Sequence, residues 1–84
     1  EIHLDAGASS ALAENDLATS VLPVGVTEIK GNFEEDDIVK IFDEKGVQIG
    51  LGKAQYSSAE ALKLIGKKGE KPIVHYDYLC IFER

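Results

Sequence analysis

Apolar and polar residues alternate in short runs that twice give way to helical spacing, which predicts short strands interrupted by two helices. Ile2-His3-Leu4 reads as a strand. Asp5 follows it as a helix entry, because its carboxylate can accept from first-turn amides and suits the helix dipole. Ala8, Ala11 and Leu12 recur at i, i+3 and i+4, one apolar stripe, and Asn15 is expected to close the helix. Val21-Leu22-Pro23-Val24-Gly25-Val26 comes next. Pro23 lacks an amide donor, so this segment should begin as an edge or a turn. Val24 and Val26 share one parity while Ile29 falls on the other. Either a bulge lies near Gly25–Thr27, or the strand twists out of the core there. Gly31-Asn32 signals a turn, with Phe33 plugging the core beneath it.

Ile38 to Asp43 and Val47 to Ala54 form the clearest hairpin, joined by Asp43-Glu44-Lys45-Gly46, where Gly46 suits a positive φ. In the second arm Val47, Ile49 and Leu51 alternate with Gln48, Gly50 and Gly52. Glycines on one face imply a sharp bend or a close neighbour, as in a small barrel. Ser57-Ser58-Ala59-Glu60 has the spacing of a capping box, ahead of a short helix through Leu62 and Ile65 that should stop at Gly66. Lys67 to Lys71 is expected to be a solvated loop. Ile73-Val74-His75 and Leu79-Cys80-Ile81-Phe82 are expected as two further strands, the last covered on both faces.

Eighty-four residues fit one domain, so residues 1–84 are read as a single unit. The chain opens directly on a strand, without an initiator Met, which suggests a piece of something longer. No apolar stretch approaches the roughly 20 residues needed to cross a bilayer, and no membrane partner is expected. The net charge of −6 is unevenly spread. Residues 1–44 hold eleven carboxylates against Lys30 and Lys40, whereas residues 45–84 hold seven bases and four acids. A polyanion is therefore disfavoured by the first half. Cys80 is the one cysteine, so no internal disulfide forms, and the composition fits a reducing, cytoplasmic setting.

Candidate chemistry is sparse. His3 and His75 are the two imidazoles, and neither stands within a metal-ligand spacing. His75 and Asp77 share one strand face and are expected to hydrogen-bond. Cys80 has no basic neighbour to activate it and reads as a buried structural thiol. Glu34-Glu35-Asp36-Asp37 is a solvated turn, because consecutive acids point apart and cannot converge on a cation. Gly50-Leu51-Gly52 lacks the third glycine and the strand-to-helix context of a phosphate cradle. No catalytic residue and no metal site are assigned.

Four segments resemble the C-terminal PUA domain of the glutamate 5-kinase family. They are Leu4-Asp5-Ala6-Gly7-Ala8, then Leu22-Pro23-Val24-Gly25-Val26-Thr27, then Gly31 to Phe33 leading into Asp37-Ile38-Val39. The fourth is Gly52 with Tyr56-Ser57-Ser58-Ala59-Glu60, followed by Gly66 and Val74-His75-Tyr76-Asp77. Asp36 stands where that family usually has glycine. The resemblance implies a mostly β, α+β pseudo-barrel of about six strands with two short helices. It also implies an accessory, non-catalytic role beside an N-terminal amino-acid-kinase domain. That absent domain would hold ATP and magnesium and phosphorylate L-glutamate, the first step of proline biosynthesis, within a homo-oligomeric parent enzyme. No cofactor is expected in residues 1–84 themselves.

The alternative is an RNA-binding PUA module, of the kind carried by RNA-modifying enzymes. The resemblance places such a surface on the first helix, the following loop and the adjoining strand, with Thr19, Ser20, Gly25 and Lys30 as contact candidates. Asp5, Glu14, Asp16 and Glu28 outnumber Lys30 there, so charge disfavours RNA.

Overall fold

The computed structural model describes residues 1–14 and 20–82. Five strands form one mixed sheet in the order β2-β1-β3-β4-β5. They are β1 (Ile2–Leu4), β2 (Val26–Ile29), β3 (Ile38–Phe42), β4 (Gln48–Ala54) and β5 (Val74–Ile81), with helices α1 (Ala6–Glu14) and α2 (Ser58–Leu64). The mostly β architecture with two short helices is the one expected. β1 pairs antiparallel with β2 and parallel with β3, which buries Ile2 and Leu4 almost completely at the centre of the sheet. Ile41, Val21, Ile73 and Val74 complete that centre.

Local signals placed most boundaries. Ala8 N–H donates to Asp5 Oδ1 at 2.7 Å, the cap expected at the start of α1. Asp43 Oδ1 accepts the amides of Lys45 and Val47, both at 2.9 Å, and Gly46 has φ +80°, so the β3–β4 turn forms as predicted. Ser57 Oγ accepts the Glu60 amide at 3.3 Å and faces the Glu60 carboxylate, so α2 starts at its cap. The parity break after Val26 is a bulge: Leu4 pairs with Val26 while His3 pairs with Glu28, leaving Thr27 as the extra residue. Phe33 is buried behind Gly31, whose φ is +77°. Glu34 to Asp37 form an exposed turn in which Asp36 adopts φ +76°, the left-handed conformation that favours glycine. That backbone explains why glycine is usual there.

Several expectations need correction. The covered face of α1 is Ala8, Leu12 and the polar Ser9, since Ala11 is exposed. The end of α1 expected at Asn15 lies outside the described residues. In α2 the inward face is Ser58 and Ala61, with Ile65 packed beside it, and Leu62 is exposed. The two C-terminal strands are one strand, β5, whose register with β4 breaks between the Ala54–Val74 and Gly52–Leu79 pairs without ending it. This strand is not covered on both faces: Leu79 and Ile81 turn toward the core, while Cys80 is exposed rather than buried. A sixth strand is reduced to one bridge, Val21 to Val74, because Pro23–Gly25 winds into a 3-10 turn immediately after it.

The two β4 glycines position β5. A Cβ on Gly50 would lie 2.5 Å from the Cys80 carbonyl oxygen, and one on Gly52 would lie 2.4 Å from Val74 Cγ1. Both approaches are closer than real side chains tolerate, as the alternation of small residues foretold. Gly52→Ala is expected to lower stability by about 1–3 kcal/mol through forced overpacking. A chemical-denaturation midpoint equal to that of the parent would show that β5 does not press on β4 as described.

Candidate functional site

A groove of about 270 Å³ lies between α1 and the chain from Ser20 to Gly25, and a second concavity of about 320 Å³ lies beside Glu1, Lys30 and Lys40. Leu4, Ala8 and Leu12 form one wall of the groove, and Val21, Leu22 and Val24 form the other. Its walls are held by backbone contacts. Asp5 N–H donates to the Gly25 carbonyl at 2.9 Å, and a Cβ on Gly25 would sit 2.6 Å from Ala8 Cβ. Gly25 is therefore glycine so that the 3-10 turn can lie directly under α1. The Pro23 carbonyl accepts Gly66 N–H at 2.8 Å, which ties the same turn to the end of α2.

A polar contact fixes α1 from its other side. The buried Ser9 hydroxyl lies 2.6 Å from Glu44 Oε2 in the β3–β4 turn and 2.6 Å from the Asp5 carbonyl oxygen. One hydroxyl proton thus faces two acceptors. The Ser9 hydrogen bond holds the Glu44 carboxyl below its ordinary pKa, with help from the Glu44 backbone amide. Tyr56 is shifted the other way: burial, and the charges of Glu70 and Glu60, raise its phenol above its ordinary value.

The four contact candidates do not share one site. Ser20 and Gly25 both line the groove. Ser20 Oγ accepts the Tyr76 amide at 3.0 Å, which leaves its own proton free to donate, and Gly25 is buried. Thr19 lies outside the described residues. Lys30 sits at the far end of β2, exposed, 3.8 Å from Glu28 and beside a separate shallow depression with Glu1 and Lys40. The groove wall is apolar, and Asp5, its one described carboxylate, is occupied as a helix cap. Such a surface can hold an apolar edge or a ring but offers phosphates no cation.

The remaining chemistry-bearing residues are in structural arrangements. His75 Nδ1 accepts the Asp77 amide at 3.2 Å and lies 3.6 Å from Asp77 Oδ2, the local bond expected. His3 stacks on Phe42 with ring centroids 4.7 Å apart. Among the described residues no three His, Cys, Asp or Glu side chains converge as a metal site. Lys63, Lys67, Lys68 and Lys71 are exposed at the end of α2 and in the loop beyond it.

Five strands in one mixed sheet with two short helices, and a groove beside the first of them, make a small pseudo-barrel. The model of the PUA domain family matches residues 1–76, and the chain belongs to that family. It is 53% identical to the glutamate 5-kinase of Bacteroides thetaiotaomicron over 96% of the chain, and spans 22% of that relative's length. A solved PUA domain from Aeropyrum pernix superposes with a TM-score of 0.78 at 25% identity, over 99% of this chain and 41% of that one. A chain of the archaeal box H/ACA sRNP Nop10-Cbf5 complex gives a TM-score of 0.68 at 18% identity, over 98% of this chain and 23% of its own.

The Ser9–Glu44 contact makes a pH prediction. A carboxyl whose pKa is lowered on folding contributes stability above its unfolded pKa, and that contribution is lost as pH falls through the folded value. The stability difference between the parent and Ser9→Ala should therefore shrink as pH drops below 4.5, the ordinary value for a glutamate such as Glu44. Denaturation midpoints of the pair, measured at neutral pH and through the acid limb, check this. A difference that stays constant would mean that Glu44 is not held by Ser9.

Proposed function

We propose that residues 1–84 are the accessory, non-catalytic PUA domain of a glutamate 5-kinase. The observation that carries this reading is the 53% identity to a glutamate 5-kinase across 96% of the chain. The parent reaction moves the γ-phosphoryl group of ATP onto the side-chain carboxylate of L-glutamate, giving γ-glutamyl phosphate and ADP, at the entry to proline biosynthesis. We assign ATP, magnesium and glutamate to an amino-acid-kinase domain N-terminal to this one. The described residues bring no nucleophile, general base and phosphate-holding backbone together at one place. The groove wall, the Asp5 cap and the Ser9–Glu44 contact all act on the orientation of α1. Support for a cytoplasmic setting comes from composition, and no helix among the described residues is long and apolar enough to cross a membrane. A homo-oligomeric parent belongs to the same proposal.

The second reading, RNA binding, draws support from the fold shared with a ribonucleoprotein component. Charge opposes it. The groove offers no cation, and Lys30 is both remote from it and engaged by Glu28.

The complete polypeptide that carries this domain should form hydroxamate-trappable acyl phosphate from ATP, Mg²⁺ and glutamate, and the 84-residue chain alone should form none. Turnover by the short chain would overturn the accessory role, and an inactive complete polypeptide would overturn the kinase assignment. With a labelled structured RNA, anisotropy should give no binding tighter than about 10⁻⁵ M at physiological salt. Sub-micromolar binding that Ser20→Asp abolishes would instead establish the groove as an RNA surface.

A further inference from the structure

The outer face of the sheet at β3, β4 and β5 carries a contiguous surface that the groove and its helices do not touch. Strand register lays it out in two rows. Ile38 pairs with Lys53, whose Nζ lies 4.9 Å from the centre of the Tyr78 ring. Lys40 pairs with Leu51, which pairs in turn with Cys80. The alternate positions, Val39, Ile41 and Leu79, face the core. Ile38 is 68% exposed and Tyr78 53%, and Lys40 and Cys80 are exposed beside them. A run of aliphatic, aromatic and thiol groups of this kind is costly to leave in water and marks a contact with protein.

Charge narrows the occupant. In a chain of net charge −6, these six residues include two lysines and no carboxylate. Asp36, 3.8 Å from Lys53, stands at the rim. A second copy docked through the same face would bring Lys40 and Lys53 against their own counterparts, an arrangement of like charges. A nucleic acid would meet Ile38 and Leu51 at the centre, which stack no bases. A polypeptide surface with aliphatic side chains and one or two carboxylates meets every group present. The chain spans only 22% of the length of the glutamate 5-kinase it matches, so most of such a polypeptide lies outside these residues.

We propose that the face formed by Ile38, Lys40, Leu51, Lys53, Tyr78 and Cys80 docks against the kinase portion of the same polypeptide. This rests on the kinase reading above. Apolar side chains of that portion cover Ile38, Leu51 and the Tyr78 ring, and its carboxylates meet Lys40 and Lys53. The groove beside α1 lies on the core side of the sheet and stays open when the outer face is covered.

Cys80 supplies the probe. Its alkylation by iodoacetamide, followed by peptide mass spectrometry, is compared in the 84-residue chain and in the complete polypeptide. The thiol should react at least about tenfold more slowly in the complete polypeptide, where reaction needs the interface to open. Ile38→Glu in the complete polypeptide should restore fast labelling, whereas Leu62→Glu, on the exposed side of α2, should leave the protection intact. Equal rates in the two chains would overturn the proposal. So would protection that appears only with added RNA, or that rises with concentration of the short chain as a second copy binds. Glutamate phosphorylation in the same samples reports separately on the kinase reading. An active polypeptide with unprotected Cys80 sinks the docking alone, and an inactive one with protected Cys80 sinks the kinase assignment alone.

Discussion

The absence of side chains at Gly50 and Gly52 is the constraint on which the rest of the barrel depends. Neighbouring antiparallel strands normally leave room for a Cβ on every residue. Here Val74 Cγ1 and the Cys80 carbonyl occupy the space where two such atoms would be. β5 can therefore fold sharply across β4, with an irregularity in register between Gly52 and Ala54. That crossing carries Val74 to Val21, the bridge that brings the last strand round to the segment leading into β2. Ile73 and Val74 then fill the middle of the core with no exposed surface. With side chains on β4 at these two positions the sheet would stay flatter, and Val21 would lose its partner.

The same device recurs where the groove is built. Gly25 lies under Ala8 as Gly52 lies under Val74, so α1 approaches the 3-10 turn at backbone distance. The turn in turn holds α2 through the Pro23 carbonyl and Gly66. One residue type thus sets both the closure of the sheet and the shape of the groove beside α1. The Pro-x-Gly-Val element reads as a structural requirement first: Pro23 starts the 3-10 turn, Gly25 admits the helix and Val26 returns the chain to the core.

Features governed by near neighbours were legible in the chain. The Asp5 and Ser57 caps and the Asp43–Gly46 turn each depend on residues within about four positions, where spacing alone sets the hydrogen bond. Which face of an element is covered was harder to read. Alternation shows that Tyr76, Tyr78 and Cys80 share a side, but not that the side is open, because covering it takes a distant segment. Leu62 and Cys80 were misplaced for that reason, each hydrophobic enough for a core that never reaches it. Among the contact candidates, Gly25 makes its close approach to Ala8, seventeen positions earlier in the chain, a contact that local spacing does not reveal. Lys30 joined the list through its place in the sequence, and the run of β2 carries it away from the groove.

Charge follows a division that the fold makes physical. The acids of the first half stand mainly in turns and caps, where Asp5, Asp37 and Asp43 accept backbone amides and so hold loops in shape. Of these, Asp5 also lines the apolar groove. The outer rows of β3, β4 and β5 hold lysines among apolar groups instead. The sheet face supplies attachment, because its apolar area gains by leaving water. The groove is walled by Leu4 of β1, and the Ser9–Glu44 contact ties its helix to the turn between β3 and β4, two of the strands that carry that face. Any ligand that moves α1 must therefore work against strands that also carry the attachment surface, and the physical route between the two surfaces is the sheet itself.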